Sequence, residues 1–223
     1  EGKEMENKHS LTGIVFNRLR EDILSGKYND NDELKEMTIA KELNVSRTPV
    51  REAIRQLEFE GLVESIPNKA TYVRGISIKD VKDIYLMRAS LERLCVKMVI
   101  ENLTDEKMAR LEEIMELSAF YYEKEKYENI LELDNKFHSF LYEAAESKML
   151  SHTLIDFHHY LERIRHTTLS GKERAGHAVE EHKKIVDAIK NKDIEKAMSL
   201  AEEHIINSMN NMERLGLLKV RKN

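Results

Sequence analysis

The sequence predicts a mainly α-helical protein in two parts, a small N-terminal domain with a two-stranded wing and a C-terminal all-helical bundle of about six helices. Both prolines, Pro49 and Pro67, lie in the first third of the 223 residues. Beyond residue 75 the chain has no proline and only three glycines, so little there interrupts long helices. This change of composition near residues 74–79 predicts domains over residues 1–75 and 76–223.

The composition is that of a strongly charged chain. Charged residues make up 35% of it, the mean hydropathy is −0.57, and no apolar run approaches the ~20 residues that a membrane span needs. The polar start, mixed in charge, is unlike a secretory signal, and Cys95, as the only cysteine, excludes an internal disulfide. We therefore expect a cytoplasmic protein with no membrane contact.

The first elements follow from helical spacing of apolar residues. These recur from Leu11 to Leu24, with Ser10 as the candidate N-cap and Gly26 as the stop. A polar loop, NDNDE, comes next, and MTIAKELN predicts a short second helix. After a tight turn, a third helix begins, and we expect the Ser46 hydroxyl to cap it by accepting a first-turn N–H.

The third helix and the wing complete the N-terminal domain. Ala53, Ile54 and Leu57 form the buried face of this helix, and Gly61 ends it. Pro49 is tolerated because the first-turn N–H groups have no partner inside the helix. LVESI and ATYVRG alternate in polarity, which predicts two short strands joined by PNK. Together these elements describe a winged helix-turn-helix, whose third helix enters the DNA major groove.

Any nucleic-acid signal must be local, because the net charge is −5 and residues 1–75 are slightly acidic. Arg47, Arg51 and Arg55 recur every four residues and therefore share one face of the third helix. Guanidinium groups suit both guanine edges and phosphate oxygens. The alternatives are a solvated helix face, on which neighbouring glutamates pair with these arginines, and a surface that contacts another protein.

The segment LNVSRTPVREAIRQLEFEGLVE resembles the DNA-binding domain of GntR-type bacterial transcription regulators. The resemblance implies that Arg47 and Arg51 bind DNA and that the wing tip enters the minor groove. Met37 stands where members often carry a basic residue, and Ala70 where the wing often has glycine, so the wing contacts and the operator are expected to differ. The candidate DNA contacts are Ser46, Arg47, Thr48, Arg51, Arg55, Asn68 and Lys69.

Polar residues interrupt the apolar stripes of the C-terminal helices, which we expect near 79–102, 105–125, 127–146, 148–169, 172–190 and 193–214. Asp134 and His138 lie one turn apart on the inward face of the third of these helices. His182 and His204 lie on the stripes of the last two. The short turn KNKD would fold these last two helices into a hairpin, with the two histidines within one turn of each other.

A carboxylate and three imidazoles are costly to bury unless they are paired or bound to a cation. One Asp and three His suit a divalent transition metal, and zinc, nickel and manganese all fit. Asp134 and His138 could chelate from one helix, while His182 and His204 would close the site from two others. The alternative is a set of ordinary core histidines held by hydrogen bonds. The other histidines are interpreted as surface or pocket-edge residues: His152, His158, His159, His166 and His177.

The pieces LDNKFHSFLYEAA, EEHKKIVDAI and DIEKAMSLAEEHI resemble the all-helical FCD effector domain of the FadR subfamily of GntR regulators. Members with this Asp and three-His set bind a metal, which helps to hold a small carboxylate effector. The resemblance implies a metal on Asp134, His138, His182 and His204. We expect a divalent transition metal there, with zinc first and nickel or manganese as the other choices. The resemblance also implies a homodimer in which the helical domains help to join two winged helices.

Arg88 and Glu92 lie one turn apart on the apolar stripe of the first C-terminal helix. One interpretation is a structural ion pair. The other makes Arg88 the anchor of an effector carboxylate, because a fork of donors fits a planar carboxylate and the arginine matches the family's R-x-x-L-E pattern. Arg165 is a second candidate effector contact, from its place near the pocket-forming helices.

The expected function is an effector-responsive transcription factor and not an enzyme. A homodimer would read a palindromic double-stranded DNA operator with half-sites about one DNA turn apart, and a small organic acid would change its operator affinity. Repression relieved by the ligand is the commoner arrangement, and an activator also fits. The alternatives are a metal-sensing regulator without an organic effector, a purely structural metal, and a metal-dependent hydrolase, for which no motif places a base beside the ligand set.

Overall fold

The computed structural model describes residues 10–67, 69–169 and 172–215, with the backbone alone for 162–169. The chain divides between Ser77 and Ile78 into two compact units. The fold is mainly α-helical with a small sheet, as the sequence predicts. None of the helices within the described ranges is long and apolar enough to cross a membrane.

The N-terminal unit is a winged helix-turn-helix. Its middle strand pairs antiparallel with both neighbours, so that Tyr72 lies opposite Glu33 on one side and Glu64 on the other. The first strand was missed by the sequence prediction, because two residues are too few to show alternation. In chain order the elements are α1 (Leu11–Leu24), β1 (Glu33–Leu34), α2 (Glu36–Glu42), α3 (Arg47–Phe59), β2 (Val63–Ser65) and β3 (Thr71–Val73).

The two predicted serine caps behave differently. The Ser10 hydroxyl accepts the N–H of Gly13 at 3.0 Å, as expected for the start of α1. Ser46 occupies the N-cap position of α3 with extended backbone, but its hydroxyl accepts no hydrogen bond from the helix, so that prediction is wrong in its detail. Because Ser46 is exposed, water can satisfy the first N–H groups of α3 in its place.

Helix α3 buries the predicted face and thereby presents its arginines to solvent. Val50, Ala53 and Leu57 are fully buried, and Ile54 is nearly so. The helix ends ahead of Gly61, whose φ of 75° lies in the left-handed region that glycine adopts without strain.

The second unit is a bundle of long helices whose limits lie within two residues of the predicted ones. Helix α9 packs along α4 and α8, while α6 packs between α5 and α7. The small side chains of Ala197 and Ala201 are buried on α9, where they allow close helix contact. The helices are α4 (Ile78–Glu101), α5 (Asp105–Glu123), α6 (Tyr127–Ala144), α7 (Lys148–Leu169), α8 (Lys172–Lys190) and α9 (Ile194–Arg214).

The core of this unit is mostly apolar and contains one group of polar side chains from several helices. Phe137, Leu141 and Ile189 are among the fully buried apolar residues. The polar group comes from α4, α6, α8 and α9, so that four helices point charged or polar atoms into one region. Its buried members include Arg88, Glu92, Asp134, His138, His182 and His204.

Candidate metal centre and DNA-binding face

Asp134, His138, His182 and His204 converge in the core, and their four candidate ligand atoms all lie within 4.8 Å of one another. The Nε2 atom of His204 lies 3.2 Å from that of His182 and 3.3 Å from that of His138. Asp134 Oδ1 lies 3.6 Å from His182 Nε2. Each of the four residues is at most 4% exposed.

Helix spacing and packing place these side chains. One turn of α6 separates Asp134 from His138, so both point to the same side of that helix. Phe137 stacks on the ring of His182, with ring centroids 4.0 Å apart and planes inclined by 27°. This aromatic contact holds the α8 histidine against α6.

Glu181 lies behind His204 on the side away from the cluster. His204 Nδ1 is 2.7 Å from Glu181 Oε2, and a carboxylate only accepts, so Nδ1 carries the hydrogen. The neutral ring then presents the lone pair of Nε2 to the cluster. Burial lowers the pKa of His204 to about 4, which favours this neutral form at neutral pH.

Besides His204, two further side chains donate hydrogen bonds to Glu181. Arg174 Nη1 donates to Oε2 at 2.8 Å, and Asn207 Nδ2 donates to Oε1 at 2.9 Å. Burial alone would raise the pKa of Glu181, but His204 and Arg174 lower it to about 2. The carboxylate is therefore ionised and fixed in position behind the imidazole.

A second carboxylate, Glu92, lies behind His138. His138 Nδ1 is 3.2 Å from Glu92 Oε1, an electrostatic contact that falls short of hydrogen-bond geometry. The same oxygen accepts from Arg88 Nε at 3.0 Å and from the Tyr142 hydroxyl at 2.6 Å. Burial alone would raise the pKa of Glu92, but His138 and Arg88 hold it well below its usual range. Burial lowers the pKa of His138.

The spacing of the histidine nitrogens fits a divalent transition metal. The Nε2 atoms of His138 and His182 lie 3.3 Å and 3.2 Å from that of His204, which turns its lone pair toward them because its Nδ1 donates to Glu181. Three imidazole nitrogens and one carboxylate oxygen thus converge in the core, and this is a ligand set that a divalent transition metal takes. Tetrahedral zinc with Zn–N of 2.0–2.1 Å separates its ligand atoms by about 3.3 Å, close to the spacing of these nitrogens.

Arg88 and Arg165 are the two residues predicted to contact an effector, and the structure describes the side chain of the first. Arg88 is buried in an ion pair with Glu92 Oε1, and its Nη2 also donates to the Tyr142 hydroxyl at 3.1 Å. The structural interpretation of Arg88 is thus observed, whereas its role toward an effector stays a prediction. The side chain of Arg165 lies outside the described part of the chain.

His158, interpreted from the sequence as a surface or pocket-edge residue, lies beside the cluster. Its Nε2 lies 2.9 Å from Asn135 Oδ1, and its ring centroid is 5.9 Å from that of His138. Burial lowers the pKa of His158 well below its usual value. A neutral imidazole therefore borders the centre beside α6.

Two of the predicted DNA-contacting arginines share one carboxylate. Arg51 donates from Nε and Nη2 to the two oxygens of Glu36, at 3.0 Å each, and Arg47 Nη2 donates to Glu36 Oε2 at 2.7 Å. These bonds lower the pKa of Glu36 to about 2. Arg55 pairs with Glu52 at 3.1 Å, as the solvated-face interpretation anticipated for neighbouring glutamates.

The other residues predicted to contact DNA lie at the start of α3 and between the strands of the wing. Ser46 and Thr48 are exposed at the start of α3, and Lys69 is exposed between β2 and β3. Asn68 lies outside the described residues. The arginines themselves are exposed, so the face is open to solvent in the free protein.

Sequence reasoning missed the carboxylates that organise both sites, Glu36 and Glu181. Glu181 immediately precedes His182, yet consecutive helical residues point about 100° apart, so adjacency in sequence hides its partnership with His204 on another helix. Glu36 lies 11 and 15 residues before Arg47 and Arg51, and no helical spacing links it to them. The only available signal was charge complementarity.

Comparison with known proteins gives matches in both units. Residues 11–73 match the bacterial regulatory proteins of the gntR family, and residues 83–207 match the FCD domain. The HTH-type transcriptional regulator YdhC of Bacillus subtilis is 30% identical over 197 residues, which cover 87% of this chain and 86% of that protein. The HTH-type transcriptional repressor RspR of Escherichia coli is 25% identical over 198 residues, 87% of each chain.

A solved structure shares the fold. Escherichia coli McbR/YncC aligns with a TM-score of 0.72 and 23% identity, over 93% of this chain and 99% of that one. The alignment spans both the winged helix-turn-helix and the helical unit, so the combination of the two units is common to both proteins.

Proposed function

Because this chain belongs to the gntR family of bacterial regulatory proteins and carries an FCD domain, we propose that a small organic acid, bound beside a metal ion, controls its affinity for operator DNA. The chain is a DNA-binding transcriptional regulator with an effector-binding domain. The observation that carries the metal part of the proposal is the convergence of the ligand atoms of Asp134, His138, His182 and His204, all buried and within 4.8 Å of one another.

Asp134, His138, His182 and His204 would hold the ion. Zinc is preferred for an Asp and three-His set, and nickel or manganese also fits. When bound, the ion supplies positive charge and a coordination position for an oxygen of the effector. The protein contributes the orientation of the histidines through Glu181 and the apolar surroundings of the four side chains.

Arg88 is the proposed anchor of the effector carboxylate, with Arg165 as a second contact. A guanidinium carries five N–H donors, and the contacts of Arg88 with Glu92 and Tyr142 engage only Nε and Nη2. Replacing Arg88 by Ala should therefore remove the effector response while operator binding persists. A normal response in that variant would leave Arg88 with its structural ion pair alone.

In the DNA complex, Arg47 and Arg51 would exchange Glu36 for phosphate and base contacts, with Ser46, Thr48 and Arg55 beside them. The wing would contribute Lys69 and Asn68. A homodimer would place two such faces about one DNA turn, ~34–36 Å, apart on a palindrome. The effector would alter operator affinity by a coupling of ~1–3 kcal/mol, in the direction of relieved repression.

Metal content per chain tests this proposal, measured by mass spectrometry on the wild-type protein and the His182→Ala, His204→Ala double variant. We expect close to one ion in the wild type and none in the variant. His177→Ala, at an exposed position of the same helix α8, should keep the ion. A wild type that takes up no zinc, nickel or manganese would overturn the metal centre and leave the DNA-binding role untouched.

A second candidate is a metal-sensing regulator without an organic effector. The buried ion pair between Arg88 and Glu92 favours it, because this arginine already has an anionic partner within the bundle. Operator affinity measured across a metal titration, with and without a panel of small carboxylic acids, separates the two. Dependence on metal that no acid modifies would favour the sensor. Catalysis forms no part of either candidate.

A further inference from the structure

We propose that Glu92 is a positioning residue that couples the metal centre to Arg88, because a single carboxylate oxygen contacts both. Oε1 of Glu92 accepts from Arg88 Nε at 3.0 Å and lies 3.2 Å from His138 Nδ1. The Tyr142 hydroxyl donates to the same oxygen at 2.6 Å. The inference rests on the proposed metal centre and adds to it a physical route between the two binding groups.

Glu181 provides a matched comparison within the same protein. It stands behind His204 as Glu92 stands behind His138, but its cationic partner is Arg174. A carboxylate behind a ligating histidine fixes the ring orientation and raises the basicity of the other nitrogen, and its loss costs about 10–100-fold in metal affinity. Both carboxylates should therefore strengthen metal binding, while only Glu92 makes that strength depend on Arg88.

The direction of the coupling follows from the sharing of one oxygen. Arg88 and Tyr142 donate hydrogen bonds to Oε1, so they reduce the negative charge that acts on His138, 3.2 Å away, and the arginine also places a positive charge near the centre. An anion bound to the guanidinium would reduce both effects, so more of the Glu92 charge would act on His138. Metal affinity should then rise, and by linkage the metal should raise anion affinity by the same factor.

A double-variant cycle tests the link with zinc alone as the probe. Zinc dissociation constants, measured by chelator competition, are compared for the wild type, Arg88→Met, Glu92→Gln and the double variant. We expect Arg88→Met to tighten zinc binding in the wild-type background, and this effect to shrink by about threefold or more when Glu92 is Gln. In the corresponding cycle with Glu181→Gln, Arg88→Met should change the zinc dissociation constant by the same factor in both backgrounds, within experimental error.

Removing Arg88 leaves Glu92 buried beside fewer donors, so circular dichroism must first show that Arg88→Met folds. If it does not, Tyr142→Phe takes its place in the cycle, because it removes a donor to the same oxygen at nearly constant volume. Its effect on zinc affinity should vanish when Glu92 is Gln. Glu203→Gln, at an exposed position of α9, should leave zinc affinity unchanged.

The possible results distinguish a failure of the link through Glu92 from a failure of the metal centre itself. The link would be overturned, and the metal centre kept, if the wild type binds zinc but Arg88→Met changes zinc affinity by the same factor with Glu92 or Gln at position 92. An unchanged zinc affinity in Glu92→Gln would have the same meaning. A wild type that binds no zinc would overturn the metal centre and the link together.

Discussion

The Nε2 atoms of His138 and His204 lie 3.3 Å apart in the core of the helical unit, and the opposite side of each ring faces a carboxylate. Glu181 sets the tautomer of His204, because it accepts the hydrogen of Nδ1, whereas Glu92 makes an electrostatic contact with His138. His182 and Asp134 bring their ligand atoms to within 4.8 Å of those of both histidines. One carboxylate and three imidazoles that converge in this way suit a divalent transition metal.

Binding of zinc should therefore stabilise the folded protein. At a free concentration of one hundred times its dissociation constant, a ligand that binds only the folded state adds about 2.7 kcal/mol to the free energy of unfolding. Thermal denaturation with added zinc, and after chelation, measures this change. His204→Ala should show no zinc-dependent shift, and an equal shift in that variant would contradict the proposed ligand set.

Arg51→Ala should weaken binding to operator DNA and flatten its salt dependence. Each lost phosphate contact reduces the slope of log affinity against log salt by about 0.9. Fluorescence anisotropy with DNA selected from a random library, at several salt concentrations, gives both quantities. Arg110→Ala provides the control, since Arg110 is an exposed arginine of α5 that pairs with Glu113. Unchanged affinity and slope in Arg51→Ala would exclude this position from the DNA contact.

The ion pairs of Glu36 should leave a signature in acid. Arg51 and Arg47 lower the pKa of Glu36 from 4.5 to about 2, so the carboxylate stabilises the folded state above pH 4.5. This contribution should be lost as the pH falls from 4.5 to 2. It is small because the arginines are about half exposed.

Thermal midpoints of wild type and Glu36→Gln, compared at pH 7, 4.5 and 2.5, measure that contribution. We expect the two midpoints to converge as the pH falls. A difference that stays constant over this range would show that the carboxylate charge is not what the arginines recognise. Glu33→Gln, on the neighbouring strand β1, serves as the control.

Phe137→Ala should lower the free energy of unfolding by about 3–5 kcal/mol, because the ring is fully buried and leaves a cavity. Its stacking on His182 should make the loss visible in zinc affinity as well. Phe137→Leu should cost less in both measurements, since it keeps most of the buried volume. Chemical denaturation and chelator competition provide the values, and a loss below about 1 kcal/mol for the Ala variant would contradict the packing described.

The helices could be predicted from the local spacing of apolar residues. The apolar spacing of α4 to α9 located their ends within two residues, because a stripe and the residues that end it are adjacent along the chain. The same stripes revealed the four candidate ligands, since a histidine among buried apolar residues contrasts with its neighbours. Strand β1 was missed because its two residues are too few to show alternation and its partner, β3, lies far along the sequence.

The sequence by itself determined the two-part helical fold, the α3 arginine face and the inward positions of Asp134, His138, His182 and His204. Only the tertiary structure decided which carboxylate serves which cation or imidazole. Glu181 faces His204 rather than its neighbour His182. The reason is geometric: helical spacing specifies the face on which a side chain lies, whereas the partner of that side chain depends on which helices pack together and how far each side chain reaches.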